Sequence, residues 1–107
     1  MQTLTAQQLY DRLTAAGTSR PVLLDVREGW EFQLCSIEGS RHIPMGRIPQ
    51  ALEELDDSIE TVVICHHGMR SAQVVQYLER AGFTNIYNLT GGIDAWAREI
   101  DQGMAQY

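Results

Sequence analysis

The chain has 107 residues, of which 44% are hydrophobic and 21% charged, and its formal net charge is −6. This is an ordinary composition for a soluble globular protein, and the length predicts one domain, residues 1–107, with a single core. No apolar run approaches the roughly 20 residues of a membrane span, no secretory signal opens the chain, and no basic run occurs. We therefore expect a cytoplasmic location, with neither a membrane nor a nucleic acid as partner.

Helical and strand patterns alternate along the chain. Thr5 and Gln8 form a Thr-x-x-Gln capping box, which predicts a helix that ends near Gly17. The apolar run 22–26 is typical of a buried parallel strand. The later predicted elements are a short helix at 28–36, a brief strand at 41–43, a helix at 49–55, a strand at 61–64, a helix after 71, a strand at 85–89 and a helix at 93–100. This alternation predicts an α/β fold with a mainly parallel sheet of about five short strands, flanked by helices on both faces.

Cys65 directly follows the strand at 61–64 and precedes a helix. A lone cysteine in such a place is most often a small core residue. Here, however, the carboxyl end of a parallel strand is where ligands bind, and the free N–H groups of the following turn favour an anion, which would favour a thiolate nucleophile. Gly68 lets the backbone curl, Arg70 can hold an oxyanion, and Ser71 is expected to cap the helix. The joint pattern therefore favours a site over a core position.

Four segments resemble the rhodanese family, in chain order. The family's active-site loop, commonly Cys-Arg-x-Gly-x-Arg-Ser/Thr, is similar to Cys65-His66-His67-Gly68-Met69-Arg70-Ser71. The other similar segments are Asp25-Val26-Arg27 with Glu31-Phe32, then Ile43-Pro44, and then Gly91-Gly92-Ile93-Asp94-Ala95-Trp96. The resemblance implies a sulfurtransferase that takes sulfane sulfur from a donor such as thiosulfate, carries it as a persulfide on Cys65, and gives it to cyanide or a thiol. It implies no cofactor, and a sulfur-relay protein is a further possible partner.

The resemblance also implies roles for the loop. Backbone N–H groups of residues 66–71 would stabilise the persulfide, Arg70 would organise the loop or bind the donor, and Ser71 would support the loop with a hydrogen bond. His66 stands where the family often has arginine, so a titratable ring replaces a fixed charge, and His66 or His67 would orient donor oxygens when protonated.

Residues outside the loop are candidates for supporting roles. Asp25 and Arg27 lie at the end of a neighbouring strand, where we expect a structural ion pair rather than direct catalysis. Cys35 is expected to be buried and inert, and a disulfide with Cys65 is not expected in a reducing compartment. Trp30, Met45 and Arg47 are interpreted either as the rim of the pocket or as ordinary core and surface residues.

Two other functions stay open. Related phosphatases and arsenate reductases have five residues between the cysteine and the arginine, whereas four separate Cys65 from Arg70, so the loop favours sulfur chemistry. A partner-binding module or sulfur carrier fed by a protein persulfide donor is harder to exclude. No metal site is predicted, because neither cysteine lies in a CxxC or Cys/His zinc spacing.

Overall fold

A computed structural model describes all 107 residues and contains one five-stranded sheet. The strands are β1 (Gln2–Leu4), β2 (Val22–Asp25), β3 (Arg41–His42), β4 (Thr61–Ile64) and β5 (Ile86–Leu89). Their order across the sheet is β1-β5-β4-β2-β3, and every pairing is parallel. The predicted α/β class and the mainly parallel sheet of about five strands are therefore confirmed, although the sequence located only four of the five.

Helices cover both faces of the sheet. They are α1 (Ala6–Thr14), α2 (Gly29–Leu34), α3 (Ile48–Ala51), α4 (Met69–Arg80) and α5 (Gly92–Glu99). One buried apolar cluster packs α3 and α4 against one face, and a second packs α1 and α5 against the other. Strand β4 contributes to both clusters because all four of its residues are buried. None of the helices has the length and apolar character that crossing a bilayer requires.

The capping box at Thr5 and Gln8 correctly predicted helix α1. The capping box is present, with the Gln8 N–H donating to Thr5 Oγ1 and the Thr5 N–H donating to Gln8 Oε1. The helix ends at Thr14, and Gly17 follows in the left-handed region with φ +79°.

Strand β1 is an element that the sequence did not predict. It lies at the edge of the sheet, and two of its three residues are exposed, so it has no apolar pattern. It exists because its backbone pairs with β5, where Thr3 lies opposite Asn88. The helix predicted at 49–55 is also different, since 3₁₀ turns (Met45–Arg47 and Leu52–Glu54) flank the four residues of α3.

Candidate active site

Cys65 directly follows the central strand β4, so its sulfur lies at the carboxyl end of that strand, at the start of the loop that leads to α4. The residue is only 1% exposed. Its Sγ accepts a hydrogen bond from the Gly68 N–H at 3.0 Å and lies 3.2 Å from Ser71 Oγ. The Gly68 N–H is thus placed to stabilise negative charge on the sulfur, as a nucleophilic thiolate requires, whereas the Ser71 hydroxyl donates its proton to Asn88 Oδ1.

Gly68 makes the tight loop possible. Its φ is +104°, and a Cβ there would lie 3.3 Å from both the Leu89 carbonyl oxygen and the Gly91 nitrogen. Gly68 is the N-cap of α4, so the helix begins at Met69, earlier than expected. The first-turn N–H groups of α4 have no partners within the helix, and they and the helix dipole favour an anion at this end.

Ser71 is inside the first turn of α4, so the prediction that it caps the helix is wrong. Its hydroxyl is fully buried and hydrogen-bonds Asn88 Oδ1 on β5 as well as contacting the Cys65 sulfur. Asn88 in turn donates from Nδ2 to the Gly68 carbonyl at 3.1 Å. The side chains of Ser71 and Asn88 therefore fix both ends of the loop. The signal for Asn88 was a polar residue inside an otherwise apolar strand, and its function in the loop was missed.

The loop also rests on the start of α5. The Ile93 and Asp94 N–H groups donate to the Cys65 and His66 carbonyls at 2.9 and 3.0 Å. Gly92 has φ +60°, and a Cβ at this position would lie 2.5 Å from the Cys65 carbonyl oxygen and closer still to that of His66. Only glycine lets the two backbones approach this closely. The Gly-Gly turn is thus a support for the active-site loop.

Arg70 does not point freely towards a donor, because it forms a bidentate ion pair with Glu31 on α2. Its Nη1 and Nη2 donate to the two carboxylate oxygens at 2.7 and 2.9 Å. The Glu31 side chain is 5% exposed and that of Arg70 is 37% exposed. The hydrogen bonds from Arg70, against the opposing effect of burial, lower the pKa of Glu31 to about 2. Hydrogen bonding to Glu31, with smaller contributions from the charges of Glu31 and Cys65, raises the pKa of Arg70.

Asp25 and Arg27 form a fully buried ion pair, with Arg27 Nη2 donating to Asp25 Oδ2 at 2.7 Å. Arg27 also donates from Nη1 to the Tyr107 hydroxyl at 3.0 Å, and that hydroxyl donates to Glu31 Oε2 at 2.6 Å. Although burial opposes a charge on Arg27, its hydrogen bonds with Asp25 and Tyr107 raise its pKa. Both residues therefore lie in the supporting network, and Tyr107 joins it to the Glu31–Arg70 pair. No sequence pattern pointed to Tyr107.

The His66 ring stacks on the Tyr107 ring and lies against the His67 ring at a tilt of 31°. The His66 and Tyr107 ring centroids are 3.8 Å apart with planes at 8°, and the two histidine rings are 3.9 Å apart. Burial and the neighbouring His67 lower the pKa of His66. A lowered pKa disfavours the protonated ring that the expected role of His66 requires. His67 is exposed.

The remaining candidates lie around this network. Trp30 is 63% exposed, and its ring forms a T-shaped pair with the Tyr107 ring, with centroids 5.7 Å apart. Met45 packs against the core, and Arg47 is exposed. Cys35 is half-buried, so its expected burial is only partial, and its sulfur lies 3.8 Å from Nη1 of Arg27.

A possible metal-binding group is formed by His66, His67 and Asp94, whose ligand atoms all lie within 4.8 Å of one another. Zinc bonds of 2.0–2.2 Å place tetrahedral ligands about 3.4 Å apart, with lone pairs that converge on one point. The two imidazole rings instead lie against each other, with centroids 3.9 Å apart and planes tilted by 31°, and Asp94 Oδ2 already accepts a hydrogen bond from Arg98 at 3.0 Å. This geometry does not match a preformed metal site.

Comparison with known proteins identifies the architecture. The rhodanese-like domain family matches residues 5–99, which is nearly the whole chain. The chain belongs to this family. A crystal structure of a rhodanese-like domain protein from Staphylococcus aureus superimposes with a TM-score of 0.85 at 31% identity, covering 100% of this chain and 99% of that one. The rhodanese resemblance and the rhodanese-like fold are confirmed.

Two relatives carry names that refer to sulfur chemistry. The Bacillus subtilis protein "Putative sulfurtransferase YtwF" is 46% identical over 77 residues, which cover 72% of this chain and 74% of that protein. The maize (Zea mays) protein "Adenylyltransferase and sulfurtransferase MOCS3-1" is 36% identical over 93 residues, which cover 80% of this chain. The chain spans only 20% of the maize protein's length. Homology thus supports a rhodanese-family sulfurtransferase.

Proposed function

We propose that this rhodanese-like domain transfers sulfane sulfur through a persulfide on Cys65. The donor is a compound such as thiosulfate, and the acceptor is cyanide or a thiol, including a thiol of a sulfur-relay protein. The observation that carries the proposal is the buried Cys65 sulfur, which accepts the Gly68 N–H at the amino end of α4. The second cysteine, Cys35, directly follows α2 and takes no part.

The reaction with thiosulfate has two steps. The Cys65 thiolate attacks the outer sulfur of thiosulfate, the donor's sulfur–sulfur bond breaks, and sulfite leaves with the bonding electrons. Cyanide or a thiolate then attacks the outer sulfur of the Cys65 persulfide and releases the Cys65 thiolate. The N–H groups of the loop and of the first turn of α4 stabilise the negative charge on the outer sulfur in both steps.

The other loop residues hold this geometry. Ser71 and Asn88 set the position of the sulfur, and Gly68 keeps the loop open for a single outer sulfur atom. Arg70 organises the loop through Glu31, and the Asp25–Arg27 pair supports it from the neighbouring strand.

A thiocyanate-forming assay with thiosulfate and cyanide tests the proposal. We expect turnover by the native chain and by Cys35→Ser, and no turnover by Cys65→Ser. Each variant replaces one cysteine sulfur with a serine oxygen, so the two form a matched pair. Turnover that survives in Cys65→Ser would refute the assignment of the nucleophile.

A protein that only carries sulfur from a persulfide-bearing partner is the second candidate function. The low exposure of Cys65 favours it, since a partner could present the sulfur directly to the loop. A chain that accepts sulfur from a protein persulfide but never from thiosulfate would fit this alternative.

A further inference from the structure

The segment after α5, residues 100–107, brings the Tyr107 ring against the loop that carries Cys65. This segment lies beyond residues 5–99, the part of the chain that matches the rhodanese-like family. Its apolar side chains pack against the core cluster that α1 and α5 form with the sheet. The Tyr107 ring then stacks on His66, with centroids 3.8 Å apart and planes at 8°. The active-site loop therefore has a contact that lies outside the motif segments of the family.

The Tyr107 side chain is itself held by Arg27, Glu31 and Trp30. Its hydroxyl accepts from Arg27 Nη1 at 3.0 Å and donates to Glu31 Oε2 at 2.6 Å. Burial and the hydrogen bond to Glu31 raise the pKa of Tyr107 to about 12, so the hydroxyl keeps the proton that this bond needs. The Trp30 ring forms a T-shaped pair with the Tyr107 ring. Two buried charged residues and an indole thus set the position of the Tyr107 ring.

The His66 side chain depends on this stacking for its own position. Its Nε2 is buried and has no hydrogen-bond partner. The other aromatic ring against it is that of His67, which is exposed and tilted by 31°. Hydrogen bonds from α5 hold the Cys65 and His66 carbonyl groups, but they do not hold the His66 ring. The Tyr107 ring is therefore the firmly held aromatic contact of the residue next to Cys65.

We propose that Tyr107 is a positioning residue for sulfur transfer: by stacking on His66, its ring holds the loop in the form in which the backbone N–H groups converge on the outer sulfur carried by Cys65. This inference rests on the proposed function of Cys65. Tyr107 acts through His66 and takes part in no bond-making step. The role matters because donors that stabilise a developing charge lose most of their effect when they are displaced by about 1 Å.

Single-turnover loading of Cys65, followed by quenching and intact mass, tests the proposal. Thiosulfate and the hydropersulfide of 2-mercaptoethanol are each used over a range of concentrations. In Tyr107→Leu, we expect the maximal loading rate to fall about tenfold with either donor, since the other supports of the loop remain. The half-saturating donor concentration should change less than about twofold, because the ring aligns the transition state and does not bind the donor.

Tyr107→Phe separates the ring from the hydroxyl. It keeps the stacking on His66, and the partners of the hydroxyl retain other hydrogen bonds: Arg27 Nη1 with the Glu31 carbonyl, and Glu31 Oε2 with Arg70 Nη2. The maximal loading rate of this variant should therefore stay within about threefold of the native rate. A loss in Tyr107→Phe as large as that in Tyr107→Leu would show that the stacking is not the cause and would overturn the inference.

The matched control is Tyr10→Leu, which makes the same exchange on α1. Tyr10 is 42% exposed, and its ring packs on Trp96 with centroids 6.5 Å apart. Both loading parameters of this variant should stay within about twofold of the native values, because its ring has no contact with the loop. Urea unfolding of every variant shows that the chain is folded under the assay conditions, so a slower rate is not a loss of folded protein.

A second readout follows the position of Tyr107 without any sulfur transfer. Cys35, His66 and Tyr107 all line one small cavity of about 150 Å³. The Cys35 sulfur also lies 3.8 Å from Arg27 Nη1, the same nitrogen that donates to the Tyr107 hydroxyl. In Cys65→Ser, Cys35 is the only thiol, and its reaction with an aromatic disulfide reagent is followed by absorbance. Adding Tyr107→Leu should raise the rate of this reaction about tenfold, and adding Tyr10→Leu should leave it unchanged.

The two readouts together decide the inference. Faster labelling of Cys35 with slower loading of Cys65 in Tyr107→Leu supports it. Faster labelling of Cys35 with a native maximal loading rate would show that Tyr107 only covers the surface, and the inference would fail while the proposed function stands. If neither donor loads Cys65 in the native chain, the proposed function itself fails.

Discussion

Replacing Glu31 with glutamine should remove a pH-dependent part of the stability. The pKa of Glu31 is about 2 in the folded protein and 4.5 as the reference value. A difference of 2.5 units corresponds to about 3.4 kcal/mol, and partial exposure of Arg70 reduces this to about 2 kcal/mol. Because the folded-state pKa is the lower one, this stabilisation is present above about pH 4.5 and is lost as the pH falls towards 2. Linkage predicts that about three fifths of it is gone at pH 3.

Urea unfolding followed by tryptophan fluorescence at several pH values measures this effect. The native chain should be about 2 kcal/mol more stable than Glu31→Gln at pH 7, and the difference should shrink to less than half of that at pH 3. Other carboxylates titrate in both proteins, so their contributions cancel in the comparison. Glu53→Gln, which removes an exposed carboxylate, should show no such trend. A difference between native and Glu31→Gln that is equal at pH 7 and pH 3 would refute the ion-pair argument.

Three further predictions concern the loop. Gly92→Ala should lower the free energy of unfolding by about 3 kcal/mol in urea titrations and slow sulfur transfer, because its Cβ would collide with the Cys65 carbonyl. Gly46→Ala, which has open space around it, should have little effect on either. His66→Arg should raise initial rates with thiosulfate at pH 8 by up to about tenfold, and added salt should reduce the gain; a rate equal to that of the native chain would show that the charge does not reach the sulfur. Aryl phosphate should not be turned over, since the loop from Cys65 to Arg70 is short and Arg70 is held by a carboxylate; efficient phosphatase activity would contradict this.

The sequence predicted what depends on neighbours in the chain. Strand β4 was evident as four consecutive apolar or β-branched residues, and the loop that follows it was evident from the order of Cys65, Gly68 and Arg70. By contrast, β1 has no pattern of its own and exists only through its pairing with β5. The early start of α4 depends on the left-handed conformation of Gly68, which the spacing does not specify.

The partners of the loop could not be predicted, because they come from distant parts of the chain. Glu31 lies 39 residues before Arg70, and Tyr107 lies 76 residues after Glu31. No periodicity relates residues so far apart. The charge on Arg70 was predicted, but its neutralisation by a buried carboxylate was not, and this changes what the arginine can do.

Intact mass after loading is the most direct test of the central claim, that Cys65 carries the sulfur. After incubation with excess thiosulfate or with the hydropersulfide of 2-mercaptoethanol, the native chain and Cys35→Ser should gain about 32 Da, and cyanide should remove the gain. Cys65→Ser should gain nothing under the same conditions. A gain of one sulfur that persists in Cys65→Ser, or one that disappears in Cys35→Ser, would contradict the account.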